Sequence, residues 1–156
     1  MMPVTLFFDG LCMPKNPGGV ATFGYVVYSD DQKLHEGYGF VGAGMFGDDV
    51  SNNVAEYHAL IRGLERLLSE GYDGAIEVKG DSQLVISQLK GEYAVRARRL
   101  IPLHKKALAL LGCFRNVELH WIPREENSEA DRLSRNAFEE FLGKHYDEYK
   151  KFYGTG

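Results

Sequence analysis

Apolar residues alternate with polar ones, or form short runs between turn residues, through the first third of the chain. This spacing is typical of strands and predicts three of them, over residues 4–9, 22–28 and 34–41. The segment 29–32 (Ser-Asp-Asp-Gln) has turn-forming residues and would join the last two strands as a hairpin. Three strands connected in this way favour an antiparallel meander.

The apolar spacing then becomes that of a helix, which starts after Ser51 and stops at Gly71. Either Ser51 or Asn52 is suited to cap its first turn. Pro102 should begin or kink the helical stretch that contains it. The pattern beyond Gly71 predicts, in chain order, a strand over 75–79, a helix over 82–90, a helical stretch over 98–111, a strand over 117–122 and a helix over 128–142. Such alternation implies parallel strands covered by helices, and therefore an α/β fold.

The length of 156 residues predicts a single domain over 1–156, with a core at about 3–142. The tail, residues 143–156, is aromatic and of mixed charge, so it could continue the last helix or pack back on the domain. No apolar run approaches the ~20 residues that span a bilayer, and no basic residue precedes the short apolar stretch at the start. We therefore expect a cytoplasmic protein without a membrane partner. Cys12 and Cys113 lie far apart, which fits reduced thiols.

Four carboxylates are candidates for chemistry, and three of them occupy positions that have an ordinary structural explanation. Asp9 precedes Gly10, and Asp-Gly is a common turn signal. Asp81 would cap the helix that follows it, and Asp131 would close a capping box with the serine three residues earlier. Glu56 is harder to explain, because it lies on or beside the helical stripe that should face the sheet, where a lone carboxylate needs partners or a cation.

Taken together, these four acids are better explained by a ligand. Two of them end strands that we predict to be parallel, and the other two lie near helix starts that pack on the same sheet. Ligands bind at the carboxyl ends of the strands in open α/β sheets. Four carboxylates there would repel one another unless a divalent cation were present, and an all-oxygen set without His or Cys favours Mg²⁺ or Mn²⁺.

The net charge of −4 argues at first against a nucleic-acid partner. Without the four acids, however, 18 acidic residues would balance 18 Lys and Arg. Five of the basic residues crowd one short segment: Arg96, Arg98, Arg99, Lys105 and Lys106. A solvated helix face and a phosphate-binding ridge both fit this cluster.

Four motifs in order resemble type 1 ribonuclease H, over roughly residues 4–141. They are Phe-Asp9-Gly with Cys12 and Asn16-Pro-Gly-Gly, then Asn52-Asn53-Val-Ala-Glu56-Tyr, then Gly-Asp81-Ser-Gln83-Leu-Val, and finally Arg124-Glu-Glu-Asn127-Ser-Glu-Ala-Asp131. The resemblance implies a five-stranded mixed sheet, three strands antiparallel and then parallel ones, with helices on both faces. This agrees with the order of elements expected from the apolar spacing.

The resemblance also implies an activity, namely hydrolysis of the RNA strand of an RNA–DNA hybrid to give 5′-phosphate and 3′-hydroxyl ends. Asp9, Glu56, Asp81 and Asp131 would hold two Mg²⁺ ions, for which Mn²⁺ would substitute. The wide minor groove of the hybrid would be recognised through its 2′-hydroxyls, and the glycines at 18 and 19 would allow a close backbone approach. The residues expected to contact the hybrid are Gly10, Cys12, Asn16, Asn52, Asn53, Gln83 and Asn127.

The sequence departs from the family pattern in two places. Many members carry a histidine in the loop before the last carboxylate, and here Arg124 is the candidate for that assisting role, as in an archaeal-like branch of the family. His120 lies within a predicted strand and is interpreted as structural. The basic handle that some members insert after the second helix is missing, so the basic residues between Arg96 and Lys106 would partly replace it.

Two alternatives stay open at this point. The same fold serves DNA nucleases and resolvases, although Asn52, Asn53 and Gln83 argue against that assignment. A non-catalytic hybrid-binding module need not retain four acids. Whether double-stranded RNA is a further partner is open too, and we expect the chain to act as a monomer.

Overall fold

A computed structural model describes residues 3–154. Its strands are β1 Val4–Met13, β2 Val20–Ser29, β3 Gln32–Ala43, β4 Ala75–Gly80 and β5 Asn116–Trp121. Its helices are α1 Asn52–Ser69, α2 Gln83–Leu89, α3 Ile101–Leu111 and α4 Ser128–Tyr153, and short 3₁₀ turns occupy Gly44–Phe46 and Arg124–Glu126. None of the helices within this part of the chain combines the length and apolar character needed to cross a bilayer.

The five strands form one mixed sheet in the order β3-β2-β1-β4-β5. The first three strands pair antiparallel, and β1, β4 and β5 pair parallel. This is the predicted arrangement, and β1 joins its two halves. From Val4 to Phe8, β1 is paired on both sides, so these residues are fixed by two neighbouring strands.

Helices cover both faces of the sheet, as predicted. Alternate residues of β2 point to opposite faces, so Phe23 packs in the main core beneath α1 while Thr22 donates a hydrogen bond to the Ser134 carbonyl of α4 at 2.8 Å. On the α4 side the approach is close, because a Cβ at Gly24 would lie 2.5 Å from the carbonyl oxygen of Ala130. The sheet is therefore the middle layer of three.

Several boundaries differ from the sequence prediction, and two of these differences have an evident structural cause. The first strand does not end at Asp9 but continues to Met13, because its antiparallel pairing with β2 persists after its parallel pairing with β4 stops at Phe8. The helical stretch expected from residue 98 begins at Ile101, with Pro102 in its first turn, so this proline starts the helix and does not kink it.

The tail does both of the things that the sequence left open. It continues α4 to Tyr153, but the backbone is non-helical at His145, with φ −132° and ψ 28°. The last turns then pack Tyr149 and Tyr153 onto a small cluster that includes Val20 and Phe138. The C-terminal part of α4 is thus fastened to the sheet.

Candidate active site

The four predicted acids all line one cleft of about 310 Å³, which lies along the second half of β1 and at the end of β4. Asp9 lies within β1, Glu56 in the second turn of α1, Asp81 directly after β4 and Asp131 in the first turn of α4. One carboxylate oxygen from each of Asp9, Glu56 and Asp81 lies within 4.8 Å of the others. Asp131 stands on the wall of the same cleft, outside this tight group.

Gly10 explains how Asp9 and Glu56 come together. A Cβ at this position would lie 2.4 Å from the backbone carbon of Ala55 and 2.4 Å from the backbone nitrogen of Glu56. Only a residue without a side chain lets β1 pass so close to α1. The resemblance implied that Gly10 is a substrate contact. The structure shows in addition that its lack of a side chain allows Asp9 and Glu56, two catalytic candidates, to lie close together.

The ordinary explanations of three acids do not hold in the structure. Asp9 is in mid-strand, so it is not a turn residue. The cap of α2 is Ser82, whose hydroxyl accepts a hydrogen bond from the Val85 amide at 3.2 Å, so Asp81 is not needed there. The capping box at α4 does not form, because this helix has no side-chain cap and Asp131 accepts a hydrogen bond from Arg135 Nε at 3.0 Å.

Burial disfavours the charged form of the carboxylates in this cluster. Asp9 is 6% exposed and Glu56 4%. Burial, followed by the nearby negative charge of Asp81, raises the pKa of Asp9 to about 7, although a hydrogen bond with Glu56 opposes the rise. Burial and the charge of Asp9 raise the pKa of Glu56 well above its usual value. Glu56 Oε2 finds no hydrogen-bond partner within residues 3–154.

These observations fit a divalent cation. A buried carboxylate oxygen without a partner is unfavourable, and a cation would both compensate it and relieve the repulsion between the acids. The tight group within the described residues consists of oxygen donors alone, which suits a hard metal ion.

The structure changes the role of Asn127. The resemblance implied a contact with the substrate, but the side chain is 1% exposed and points inward. Its Nδ2 donates to the Phe8 carbonyl at 2.9 Å and to Asp81 Oδ2 at 3.3 Å. Asn127 thus ties Asp81 to the strand that carries Asp9, and we correct its role to that of a positioning residue.

Trp121 also holds Asp81, and the sequence did not reveal this. Its Nε1 donates to the Asp81 backbone carbonyl at 3.1 Å. The positions of the two residues could have suggested the contact, since Trp121 ends β5 and the adjacent parallel strand β4 ends next to Asp81. Such a prediction required the pairing of the two strands to be known.

At the rim of the cleft, two of the predicted substrate contacts hold each other. Asn16 Nδ2 donates to Asn52 Oδ1 at 2.8 Å, and the Asn52 backbone amide donates to Asn16 Oδ1 at 2.9 Å. Both side chains line the cleft. The loop that contains Asn16 is thereby attached to the start of α1.

Of the three remaining predicted substrate contacts, one lines the cleft and two do not. Cys12 lines the cleft but is only 8% exposed, and its thiol donates to the Lys15 carbonyl at 3.3 Å. Gln83, at the start of α2, is exposed, and Asn53 is half-buried on α1. Neither of these two belongs to the lining of the cleft, so their contact with a substrate stays a prediction.

Two arginines bring positive charge to the cleft. Arg124 is exposed on the turn before α4 and lines the cleft as predicted. Burial raises the pKa of Asp81, while the Asn127 hydrogen bond and the Arg124 charge oppose that rise. Arg135, which we did not predict, lines the cleft through its ion pair with Asp131. Its position four residues after Asp131 on a helix was the available signal.

The two other basic features singled out from the sequence, His120 and the segment from Arg96 to Lys106, lie outside the cleft lining. His120 is paired with Glu118 at 3.3 Å on β5 and does not line the cleft, and its structural role stays a prediction. In the basic segment, Arg99 pairs with Asp49 at 2.8 Å and Lys106 Nζ lies 3.3 Å from a Glu65 carboxylate oxygen. A phosphate-binding ridge in this segment stays a prediction.

A mixed sheet in this order, with carboxylates gathered where β1 and β4 diverge, defines a nuclease fold of the ribonuclease H class. A family model described as "reverse transcriptase-like" matches residues 7–137. "Ribonuclease HI" of the archaeon Halobacterium salinarum is 35% identical over 137 residues, which are 88% of this chain and 65% of that protein. The chain belongs to the type 1 ribonuclease H family.

Solved structures agree with this assignment. The N-terminal RNase H domain of Rv2228c from Mycobacterium tuberculosis superposes with a TM-score of 0.81 at 33% identity, covering 92% of this chain and 99% of that one. LC11-RNase H1, solved in complex with an RNA/DNA hybrid, gives a TM-score of 0.79 at 33% identity over 89% of this chain and 99% of that one. The full-length mycobacterial protein is 37% identical over 126 residues, and the chain spans about a third of its length, 32%.

Proposed function

We propose that this chain hydrolyses the RNA strand of RNA–DNA hybrids with the help of two Mg²⁺ ions. The observation that carries the proposal is the group formed by buried Asp9 and Glu56 with half-buried Asp81, whose carboxylate oxygens lie within 4.8 Å of one another. Family membership supports the reaction class, and the relative solved with an RNA/DNA hybrid supports the substrate.

Asp9, Glu56, Asp81 and Asp131 would hold the ions, and Mn²⁺ would be accepted by the same oxygen donors. When bound, such ions lower the pKa of an attacking water and stabilise the charge that develops on the leaving 3′ oxygen. Products with 5′-phosphate and 3′-hydroxyl ends follow from this proposal.

The protein's own side chains orient the acids and the substrate. Asn127 and Trp121 fix the direction of Asp81 through its carboxylate and its carbonyl. Asn16 and Asn52 present amide groups at the rim, where they would meet the sugar and base edges of the hybrid. Arg124 supplies positive charge on the Asp81 side of the cleft and would approach the reacting phosphate.

The decisive experiment compares four labelled substrates side by side: RNA–DNA hybrid, RNA duplex, DNA duplex and single-stranded RNA. Each is incubated with Mg²⁺, Mn²⁺ or excess EDTA, and Asp9→Asn serves as the matched control. We expect cleavage of the RNA strand in the hybrid, abolished by EDTA and by the substitution. Cleavage of the DNA duplex would instead favour a resolvase-like enzyme, and activity in excess EDTA would exclude the two-metal proposal. The RNA duplex decides whether double-stranded RNA is a second substrate.

We further propose that the domain works as a monomer in the cytoplasm. Cys12 and Cys113 are free thiols, as expected for a reducing compartment. The mass in solution, measured by light scattering, tests the oligomeric state.

A further inference from the structure

The last part of α4 lies outside the region that the family model describes, which stops at residue 137. After the kink at His145, this helix carries Tyr149 and Tyr153 into a cluster with buried Val20 and Phe138. A helix that served only to cover apolar surface would need no polar contact at this place. Tyr153, however, makes two.

The Tyr153 hydroxyl joins two backbone segments. It donates to the Gly18 carbonyl at 2.7 Å and accepts from the Met45 amide at 3.1 Å. These segments already touch each other, since the Gly44 amide donates to the Gly19 carbonyl at 3.1 Å. Contact is so close that a Cβ at Gly44 would lie 2.1 Å from the Gly18 carbonyl oxygen.

Gly18 belongs to the loop that brings Asn16 to the cleft. The Gly18 amide donates to the Val50 carbonyl at 3.0 Å, and Asn16 exchanges two hydrogen bonds with Asn52 at the start of α1. Gly18 has φ +95°, so its backbone geometry depends on glycine and on the hydrogen bonds around it. A hydrogen bond to its carbonyl therefore restrains the loop two residues from Asn16.

We infer that Tyr153 is a positioning residue, which holds the Asn16 loop in the conformation that contacts the hybrid. The inference rests on the proposed function, since it assigns Asn16 to substrate binding. In this arrangement the C-terminal helix sets the affinity for substrate, while the acids are held by other contacts. Loss of the hydroxyl should weaken binding without changing the chemical step.

The test uses Tyr153→Phe in the full chain, with Tyr149→Phe as its matched control. Both substitutions keep the ring in the same cluster, and the Tyr149 hydroxyl takes no part in the two hydrogen bonds. For Tyr153→Phe we expect KM for the hybrid to rise about threefold to tenfold, as the loss of hydrogen bonds of ordinary strength predicts, with kcat unchanged. Tyr149→Phe should match the parent in both constants.

A double substitution tests the route. If Tyr153 acts through the Asn16 loop, Tyr153→Phe should add little to the KM of Asn16→Ala. Independent, additive effects would overturn this route. An unchanged KM in Tyr153→Phe alone would show that the helix is only a structural brace.

Hydrogen exchange gives a readout that does not need activity. The amides of Gly18, Met45 and Asn52 should exchange several-fold faster in Tyr153→Phe than in Tyr149→Phe, because the loop opens more often. Unchanged exchange at Gly18 and Asn52 would overturn the inference. A parent protein that fails to cleave the hybrid would overturn the proposed function, whereas the exchange result would still decide whether Tyr153 holds the loop.

Discussion

Asn127 links the two strands of the active site by donating both to the Asp81 carboxylate, at 3.3 Å, and to the Phe8 carbonyl, at 2.9 Å. One buried amide thereby sets the separation of β1 and the Asp81 side chain. The group is neutral, so it orients Asp81 without neutralising it, and the negative charge stays available to a metal ion.

We predict that Asn127→Ala lowers kcat while also destabilising the protein by about 1–3 kcal/mol, because the Phe8 carbonyl is left unpaired in the interior. Steady-state kinetics and urea denaturation measure the two effects. Asn136→Ala, a change at a half-buried asparagine of α4 outside the cleft lining, is the control and should preserve kcat. Full kcat in Asn127→Ala would mean that Asp81 does not depend on this amide.

Gly10→Ala should damage both the fold and the site, because the added methyl group would overlap the backbone of α1. We expect a loss of about 1–3 kcal/mol of stability together with reduced cleavage. Gly143→Ala is the matched control, since a Cβ there meets no atom within 4 Å among the described residues. That helical substitution should instead stabilise the protein by about 0.4–1 kcal/mol. Equal melting temperatures for the two variants would contradict the view that Gly10 is needed for the close approach of β1 to α1.

Asp9→Asn should abolish cleavage yet leave the metal-free protein as stable as the parent or more so. In the folded protein the pKa of Asp9 is about 7, above the ordinary value of 3.8. A raised carboxylate pKa contributes stability that is complete below the unfolded value and is lost as pH rises through the folded value. In EDTA, the free energy of unfolding of the parent should therefore fall between about pH 4 and pH 8, by roughly 1 to 4 kcal/mol from this group.

Chemical denaturation at several pH values in EDTA measures that slope, and Asp9→Asn should flatten it. The substitution should also leave the amide of Gly10 and its neighbours folded, since it keeps the size of the side chain. A variant that is destabilised but still cleaves the hybrid would remove Asp9 from the metal site.

Mg²⁺ should stabilise the parent more at pH 8 than at pH 5. Metal ligands must lose their protons, and burial raises the pKa values of Asp9, Glu56 and Asp81. The shift in melting temperature on adding Mg²⁺ reports binding to the folded state. The same titration with Asp9→Asn should give a much smaller shift. Equal shifts at both pH values would indicate that the ion binds away from these acids.

Arg124→Ala should lower turnover more than it weakens hybrid binding, because the guanidinium lies on the Asp81 side of the cleft. Single-turnover cleavage and hybrid affinity separate these two effects. Arg124→Lys keeps the charge but not the planar fork and should recover part of the rate. If affinity falls while the single-turnover rate is unchanged, Arg124 is only a phosphate contact.

Local patterns predicted the order of the elements and the four acids, because apolar periodicity and short motifs are properties of adjacent residues. They did not predict that β1 continues past Asp9, since that depends on pairing with residues 20–24 of another strand. The roles of Asn127 and Trp121 were out of reach for the same reason. Asn127 contacts Phe8 from 119 residues away, and Trp121 contacts Asp81 from 40.

The site has a rigid part, the strand that carries Asp9, and a more mobile part, the loop that carries Asn16. β1 is bonded to β2 along its whole length and to β4 as far as Phe8, so the backbone that carries Asp9 can be released only by breaking the sheet, and exchange of the buried amides of β1 should require global unfolding. Asn16 sits on a surface loop held by a handful of hydrogen bonds, which can open locally. Asp9 thus keeps one geometry for the lifetime of the folded molecule, while the rim that we propose to meet the nucleic acid can adjust to each substrate it encounters.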